Sequence, residues 1–520
     1  MKTDILLLRP KGKMTNSRLF ATEQLGLSYI AAYVRSRSLT AEIIDGFLEP
    51  DRYDRLISGI EDSDYRVIGY PLYEETLKRV ASDAARIRRR AQKVHITLGN
   101  HFATFRASGL LQEFPQFSSA IRGEGEQTLA ELARSIIEGT GMQSILGLTF
   151  RQDETIVTNE PRPNIENLDD LPFPARDTLP LVIAAGNAPL IYSSRGCNAR
   201  CIFCSVHKFY RSSPGGMWRG RSAKNVVDEM EQLTKRFGVS EFAFADEQFL
   251  GHGTAGKDRA VGIAEEITRR GLRCKWYIET RSSDVSLPLF RKLRDSGLHA
   301  VFMGIESGFD PALKALNKGI KTSQHIEAIE ILKELEILAS IGFIMFRPET
   351  TVEELRCNLN FLEQISCGEV TALVTQLKTY EGTDLARILG NSTVKRQDGR
   401  KWEFADHRVG QCFEILMESA DTITVSYNEF ARVRRLGVLT YLECLELQRL
   451  LNSGPICKAR LVIDEIMNQK LGFDELRTIA RVCFKEVCED FLRILWFTEA
   501  IAKGRPREDG IKLLSPMSLC

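Results

Sequence analysis

Twice along this chain, short apolar runs alternate with amphipathic helical stretches, and that rhythm admits few folds. Strands alternating with helices imply α/β domains built on parallel sheets. In residues 1 to about 140, "DILLLRP", "EIIDGF", "RVIGYPL" and "VHITLGN" read as strands, with "LGLSYIAAYVRSRS" and "LKRVASDAARIRRRAQ" as helices between them. "SAIRGEGEQTLAELARSIIEG" adds a strand that turns through glycines into a helix. The expected fold here is a doubly wound, Rossmann-like sheet, in which ligands bind at the carboxyl ends of the strands.

The alternation resumes at residue 188. "PLIYSSR", "EFAFADEQF", "CKWYIETR", "AVFMGIES", "SIGFIMFRP" and "EVTALVTQLK" read as strands, with helices such as "KNVVDEMEQLTKRFG" and "TSQHIEAIEILKELEI" between them. Six such units predict a partial (β/α)6 barrel of the TIM type, with chemistry at the strand C-termini. Between the two halves, "NEPRPNIENLDDLPFPARDTLP" reads as an extended connector whose Leu168, Leu171 and Phe173 need something to pack on. Beyond about residue 400 the periodicity is helical only. The expected division is therefore 1–145, a linker at 146–187, 188–400, and a helical C-terminal domain at 401–520.

Composition excludes several classes of function. Hydrophobic content of 43% and charged content of 27% are those of a globular protein. Lys+Arg (70) and Asp+Glu (69) nearly cancel, so no global field attracts nucleic acid or an anionic membrane. The apolar run in "MKTDILLLRPKGK" is too short for a signal peptide, and Gly186, Asn187 and Pro189 interrupt "LPLVIAAGNAPLIY". A cytoplasmic location is expected. Twelve cysteines in a reducing compartment argue for thiols and a metal site rather than disulfides.

Three of those cysteines, Cys197, Cys201 and Cys204, fall within "SSRGCNARCIFCS". This spacing is too tight for the two separated pairs of most structural zinc sites, although His207 leaves a Cys3His zinc site as an alternative. The other reading is a [4Fe–4S] cluster, where three thiolates hold three irons and the fourth stays open for catalysis. The remaining nine cysteines (274, 357, 367, 412, 444, 457, 483, 488 and 520) are dispersed and read as small buried hydrophobes.

C-x-x-x-C-x-x-C after a strand, with Phe203 beside the last cysteine, resembles the signature of the radical S-adenosylmethionine enzymes. The resemblance implies that the open iron chelates S-adenosylmethionine and that one electron releases a 5′-deoxyadenosyl radical. Later strand ends carry the polar groups this family requires. Asp246 and Glu247 of "FADEQF" match acceptors for the methionine ammonium, and Arg281 of "IETR" a partner for its carboxylate. Glu306 and Ser307 of "MGIESG" match ribose contacts. "GFIMFRPET" resembles the adenine motif, with Gly342 and Ile344 in place and Phe346 where the second glycine is usual. "GHGTAG" also matches G-x-G-x-x-G, but Asp246 and Glu247 just before it would repel a pyrophosphate.

The N-terminal pattern is similar to the cobalamin-binding domains fused to one branch of these enzymes, and the resemblance covers roughly residues 1 to 385. "LGNHFATF" and "RGEGEQTLAEL" carry it. It implies cobalamin contacts at Gly69, Tyr70, Gly99, Asn100, His101, Gly123, Glu124, Gly125 and Glu126. No D-x-H-x-x-G hexapeptide occurs, so cobalamin is expected base-off with no histidine ligand, and His95 and His101 read as structural. "VHKFYRSSPGGMWRGRS", with His207, Tyr210, Arg211, Trp218 and Arg219, reads either as a substrate entrance or as a solvated basic loop.

Together these resemblances imply a cobalamin-dependent radical methyltransferase acting on an unactivated carbon (or phosphorus) of a small-molecule biosynthetic substrate. A flavodoxin or ferredoxin would supply the electron, and neither nucleic acid nor a membrane is an expected partner. The alternative is a cyclase or ring-rearranging enzyme of the same class. Methylthiolation of transfer RNA would bring a second cluster and a basic β-rich domain, neither of which is visible. A cobalamin-binding regulator would have no use for the cysteine triplet.

Overall fold

The computed structural model describes residues 3–10, 21–366, 369–390, 402–436 and 439–503. Cys367 and Cys520 lie outside these residues, as do parts of the expected C-terminal domain. The chain forms two compact units, one of Met1–Glu279 with Asp295–Gly297 and Tyr380–Ile388, the other of Thr280–Arg294, Leu298–Thr379 and Leu389–Cys520.

In the first unit, β1 (Thr3–Arg9), β2 (Ala41–Asp45), β3 (Tyr65–Pro71), β4 (His95–Gly99) and β5 (Ser119–Ile121) pair in parallel in the order 2-1-3-4-5. Helices α1 (Leu25–Ser36), α2 (Pro50–Gly59), α3 (Leu77–Arg88), α4 (Asn100–Glu113) and α5 (Glu126–Glu138) connect them. Both faces of the sheet are covered, which is why the strands are near-continuous apolar runs such as Ile5–Leu8. Ile5 and Leu7 pack on one side with Leu27, Ala31 and Leu132, while Leu6 and Leu8 pack on the other with Tyr53, Ile57 and Ala84.

An antiparallel pair, β6 (Leu148–Gln152) and β7 (Thr155–Thr158), extends the sheet beyond β5. Its two-residue turn puts Asp153 at φ 50, a conformation that Asp tolerates. The hairpin runs into the stretch that the sequence presents as an open connector. Further along that stretch, Leu168 and Leu171 bury against Leu25 and Tyr29, and Phe173 lies 5.3 Å beneath the Arg221 guanidinium.

The same unit continues through β8 (Leu190–Ile191) and an antiparallel pair, β9 (Ser194–Gly196) with β10 (Trp218–Gly220). Next come β11 (Glu241–Phe244), parallel to β8, and β12 (Lys275–Thr280), parallel to β11.

In the second unit β13 (Leu298–Glu306) and β14 (Leu338–Phe343) pair in parallel, with a register shift between Gly304 and Glu306. "EVTALVTQLK" forms a 3₁₀ segment, Val370–Val374, and one bridge between Phe346 and Gln376. Four helices follow, His407–Glu418, Ala420–Arg435, Tyr441–Asn468 and Phe473–Ala502. Arg356–Asp464 (2.7 Å) and Arg460–Glu363 (2.8 Å) tie the third of them to the helix Val352–Ile365. Among the described residues no helix is long and apolar enough to cross a membrane.

Candidate functional site

A cleft of about 1060 Å³, open solvent included, lies in the first unit at the carboxyl ends of the parallel strands. Gly69 and Tyr70 reach it from β3, Gly99 from the end of β4, Asn100 and His101 from the start of α4, and Gly123–Glu126 from the β5–α5 connection. These are all nine residues that the sequence resemblance marks for cobalamin. At Gly69 and Gly125 of the floor a side chain would be crowded, while Gly99 has open space around it. A Cβ on Gly69 or on Gly125 would stand 3.1 Å from Leu7 Cδ2 or Ile30 Cδ1 respectively. Asn100 has φ 81 and its Oδ1 accepts from His101 N–H at 2.8 Å, which turns the chain sharply into α4.

The opposite wall comes from the cysteine-bearing part of the same unit: Tyr192, Arg195, Phe209, Tyr210 and Glu247. His101 stacks on Phe209 with ring centroids 4.1 Å apart, and its Nδ1 hydrogen-bonds Ser205 Oγ at 2.9 Å. Burial pushes His101 down to about 4, so its ring is neutral near pH 7. His95 is absent from the cleft lining. Its Nε2 meets Ser119 Oγ at 2.8 Å, and burial pushes it down to about 3.

The cysteines follow β9. Gly196 has φ 92, and a Cβ there would stand 2.0 Å from Met217 O, so only glycine lets β9 run against β10 and deliver Cys197. Cys197 and Cys204 are partly exposed and Cys201 is buried. Phe203 is partly buried between the last two.

Asp246 is fully buried and bonded to the chain on both oxygens. Its Oδ1 accepts from Ser193 N (2.7 Å) and Ser194 N (3.0 Å), and its Oδ2 from the Ser193 hydroxyl. Burial raises its carboxyl group despite the Arg259 guanidinium. Glu247 accepts from Gly196 N at 3.1 Å and from Tyr210 Oη at 3.4 Å, and burial raises it too. Both carboxylates thus brace the strand that leads to Cys197. Under "GHGTAG" the Trp218 indole fills the loop, 2.6 Å from where a Gly251 Cβ would be, which leaves no cradle for a pyrophosphate.

The second unit holds the other strand-end residues. Glu306, at φ 71, pairs with Lys318 Nζ at 2.9 Å in a buried ion pair. Arg281 donates to the Lys318 carbonyl oxygen. Ser307 is buried and donates to Asn358 Oδ1 at 2.9 Å. Ile344 is buried just past β14, its N–H bonded to Glu306 O at 2.8 Å.

Sequence comparison agrees with this architecture. Residues 191–362 match the family model of the Radical SAM superfamily, and residues 13–133 that of the B12 binding domain. The chain thus joins a B12 binding domain to a Radical SAM domain. An uncharacterized methyltransferase of Pyrococcus horikoshii is 29% identical over 77% of this chain and 86% of its own. An anaerobic magnesium-protoporphyrin IX monomethyl ester cyclase of Cereibacter sphaeroides is 30% identical over 54% of this chain, which spans only 45% of that protein. The solved structure of the cobalamin-dependent radical enzyme OxsB, with aqua-cobalamin and S-adenosylmethionine bound, superposes with a TM-score of 0.74. It does so at 18% identity, over 98% of this chain and 83% of its own. The enzyme's cofactors are accordingly a [4Fe–4S] cluster, S-adenosylmethionine and cobalamin.

Sequence reasoning left Tyr210 and Arg219 between a substrate entrance and a solvated loop. The structure buries both, Tyr210 on the cleft wall and Arg219 against Glu124, and leaves Arg211 exposed. Tyr192, Arg195 and Phe209 carried no sequence signal, because each faces the cleft only through the path of β9 and the short helix Val206–Arg211.

Proposed function

We propose that the enzyme methylates an unactivated carbon of a small-molecule biosynthetic substrate. One observation carries this reading: residues flanking the three cysteines form a wall of the glycine-floored cleft, with His101 bonded to Ser205, the neighbour of Cys204. Two cofactors that meet one cavity can each act on the same substrate. When bound, the cluster supplies the electron that splits S-adenosylmethionine into methionine and a 5′-deoxyadenosyl radical, and cobalamin carries the methyl group.

Cys197, Cys201 and Cys204 hold the cluster. Gly69, Gly99 and Gly123–Glu126 give cobalamin its floor, and neutral His101 stacks at the rim without serving as a cobalt ligand. In the second unit Glu306 and Ser307 serve the ribose of S-adenosylmethionine, Ile344 its adenine and Arg281 its carboxylate; in the first, Phe203 accompanies the cluster cysteines. Asp246 and Glu247 act from behind, holding the path of β9. Residues 1–145 are thereby the cobalamin half and 188–400 the radical half, joined by 146–187, with the helical region 401–520 given no chemical role. A flavodoxin or ferredoxin is the electron donor, and the setting is cytoplasmic.

The Pyrococcus relative's name supports methyl transfer. The cyclase relative favours a second reading, ring closure without methyl transfer. Product stoichiometry separates the two. With reductant and the true substrate, a methyltransferase yields one S-adenosylhomocysteine for each 5′-deoxyadenosine, and deuterium on the reacting carbon enters the deoxyadenosine. Deoxyadenosine without matching S-adenosylhomocysteine would overturn methyl transfer in favour of the cyclase.

A further inference from the structure

Glu124 and Glu126 line the cleft, and their carboxylates accept from buried arginines. In the β9–β10 pair, Arg195 lies directly opposite Arg219. Both side chains are buried, at 10% and 7% exposure, and like charges facing each other across a strand pair repel. Glu124 resolves the conflict by accepting from both, Arg195 Nη1 at 2.8 Å and Arg219 Nη1 at 2.9 Å, while Glu126 accepts from Arg195 Nη2 at 2.6 Å. Tyr29 and Tyr210 cover the two guanidiniums, with ring centroids 5.0 and 5.2 Å away. The loop is held from a third direction as well, because Ile165 N–H donates to Glu124 Oε2 at 2.6 Å.

One short loop therefore has two faces. Its backbone, Gly123 to Gly125, lines the cleft, and its carboxylates grip Arg195, which is separated from Cys197 only by Gly196. Gly196 N–H in turn donates to Glu247 Oε2 at 3.1 Å, and Gly196 pairs with Trp218 of β10, so this one-residue step is held on both sides.

We propose that Glu124 and Glu126 are positioning residues that act through Arg195 and Arg219, coupling the filling of the cobalamin cleft to the placement of Cys197. This rests on the assignment of the two cofactor sites above. Coupling of this kind is reciprocal, so a cluster on Cys197 must change the affinity for cobalamin.

The test is the affinity of the full chain for hydroxocobalamin, titrated by absorbance with and without a reconstituted cluster. In the unchanged enzyme the two dissociation constants differ by about fivefold or more. Glu124→Gln leaves two opposed buried arginines, so it holds iron poorly. Adding Arg219→Gln removes one of them and restores iron content toward about four per chain. In the doubly changed Glu124→Gln, Arg219→Gln enzyme, which regains its iron, the two dissociation constants converge to within about twofold.

A doubly changed enzyme that binds hydroxocobalamin about tenfold more weakly in both forms, with the ratio intact, would overturn the proposal and make Glu124 a direct cobalamin contact. Iron content that Arg219→Gln fails to restore would overturn the opposed-arginine account. No binding by the unchanged enzyme would overturn the cobalamin site itself, an outcome distinct from a preserved ratio.

Discussion

Replacing Gly196 by alanine tests whether the hairpin β9–β10 sets the cysteine loop. The new Cβ would lie 2.0 Å from Met217 O and 3.0 Å from Met217 C, so the two strands must part by about 1 Å merely to reach the closest contact that real Cβ atoms show. Residue 196 must also keep φ near 92. An L-residue in a left-handed conformation costs roughly 1–2 kcal/mol, and forcing an extra methyl into packed structure roughly 1–3 kcal/mol. The sum, roughly 2–5 kcal/mol, corresponds to a drop in Tm on the order of 5–15 °C for a unit of this size. Gly238→Ala is the control: it has φ 68 but nothing within 4 Å of its Cβ, so it carries only the conformational term, about 1–2 kcal/mol. The assays are calorimetry of the cluster-free chain and iron and sulfide content after anaerobic reconstitution. Gly196→Ala should melt well below Gly238→Ala and retain less than half the iron of the unchanged enzyme. Equal melting and equal iron in the two variants would show that contact with β10 does not govern where Cys197 stands.

Two further outcomes are expected. Anaerobically prepared enzyme should be brown with about four irons per chain; changing Cys197, Cys201 and Cys204 together to Ala should bleach it, whereas changing Cys483 and Cys488 should not, as iron and sulfide analysis would tell. Glu23 and Glu229 are buried and share Arg176, and burial pushes Glu23 from 4.5 up to about 7. A folded-state value above the unfolded one means that folding takes up a proton. Its stabilising share is therefore complete below about 4.5 and lost as pH rises through about 7, on the order of 3 kcal/mol in all. Glu23→Gln should flatten that decline in urea unfolding between pH 5 and pH 8, and an unchanged slope would refute the assignment.

Much of the site was legible because its signals are local. Cys197, Cys201 and Cys204 are tied by short offsets in one loop, and glycines at strand ends mark where a cofactor can approach backbone. The nine cleft residues lie on three successive strand ends of one sheet, so finding the strands located them. "EVTALVTQLK" shows where local reading stops. Its β-branched apolar composition suits a strand, but Val370–Val374 takes a 3₁₀ turn and only Gln376 makes a bridge, since pairing depends on a neighbour the segment does not encode. The hairpin β6–β7 escaped because polar residues on its outward side hide the alternation, as expected of an edge.

The sequence by itself determined the five parallel strands and helices of the first sheet, the cysteine spacing and the glycines of the cleft, since each follows from neighbours within a few residues. It placed Glu124, Glu126, Asp246 and Glu247 correctly at strand ends but could not say what their carboxylates meet. Arg195 and Arg219 lie 71 and 95 residues from Glu124, and Ser193 lies 53 from Asp246. A buried carboxylate takes whichever donor the fold brings to it, because leaving it unpaired costs more than any local preference can offset. Only the tertiary structure could show that those four acids also brace the strand that leads to Cys197.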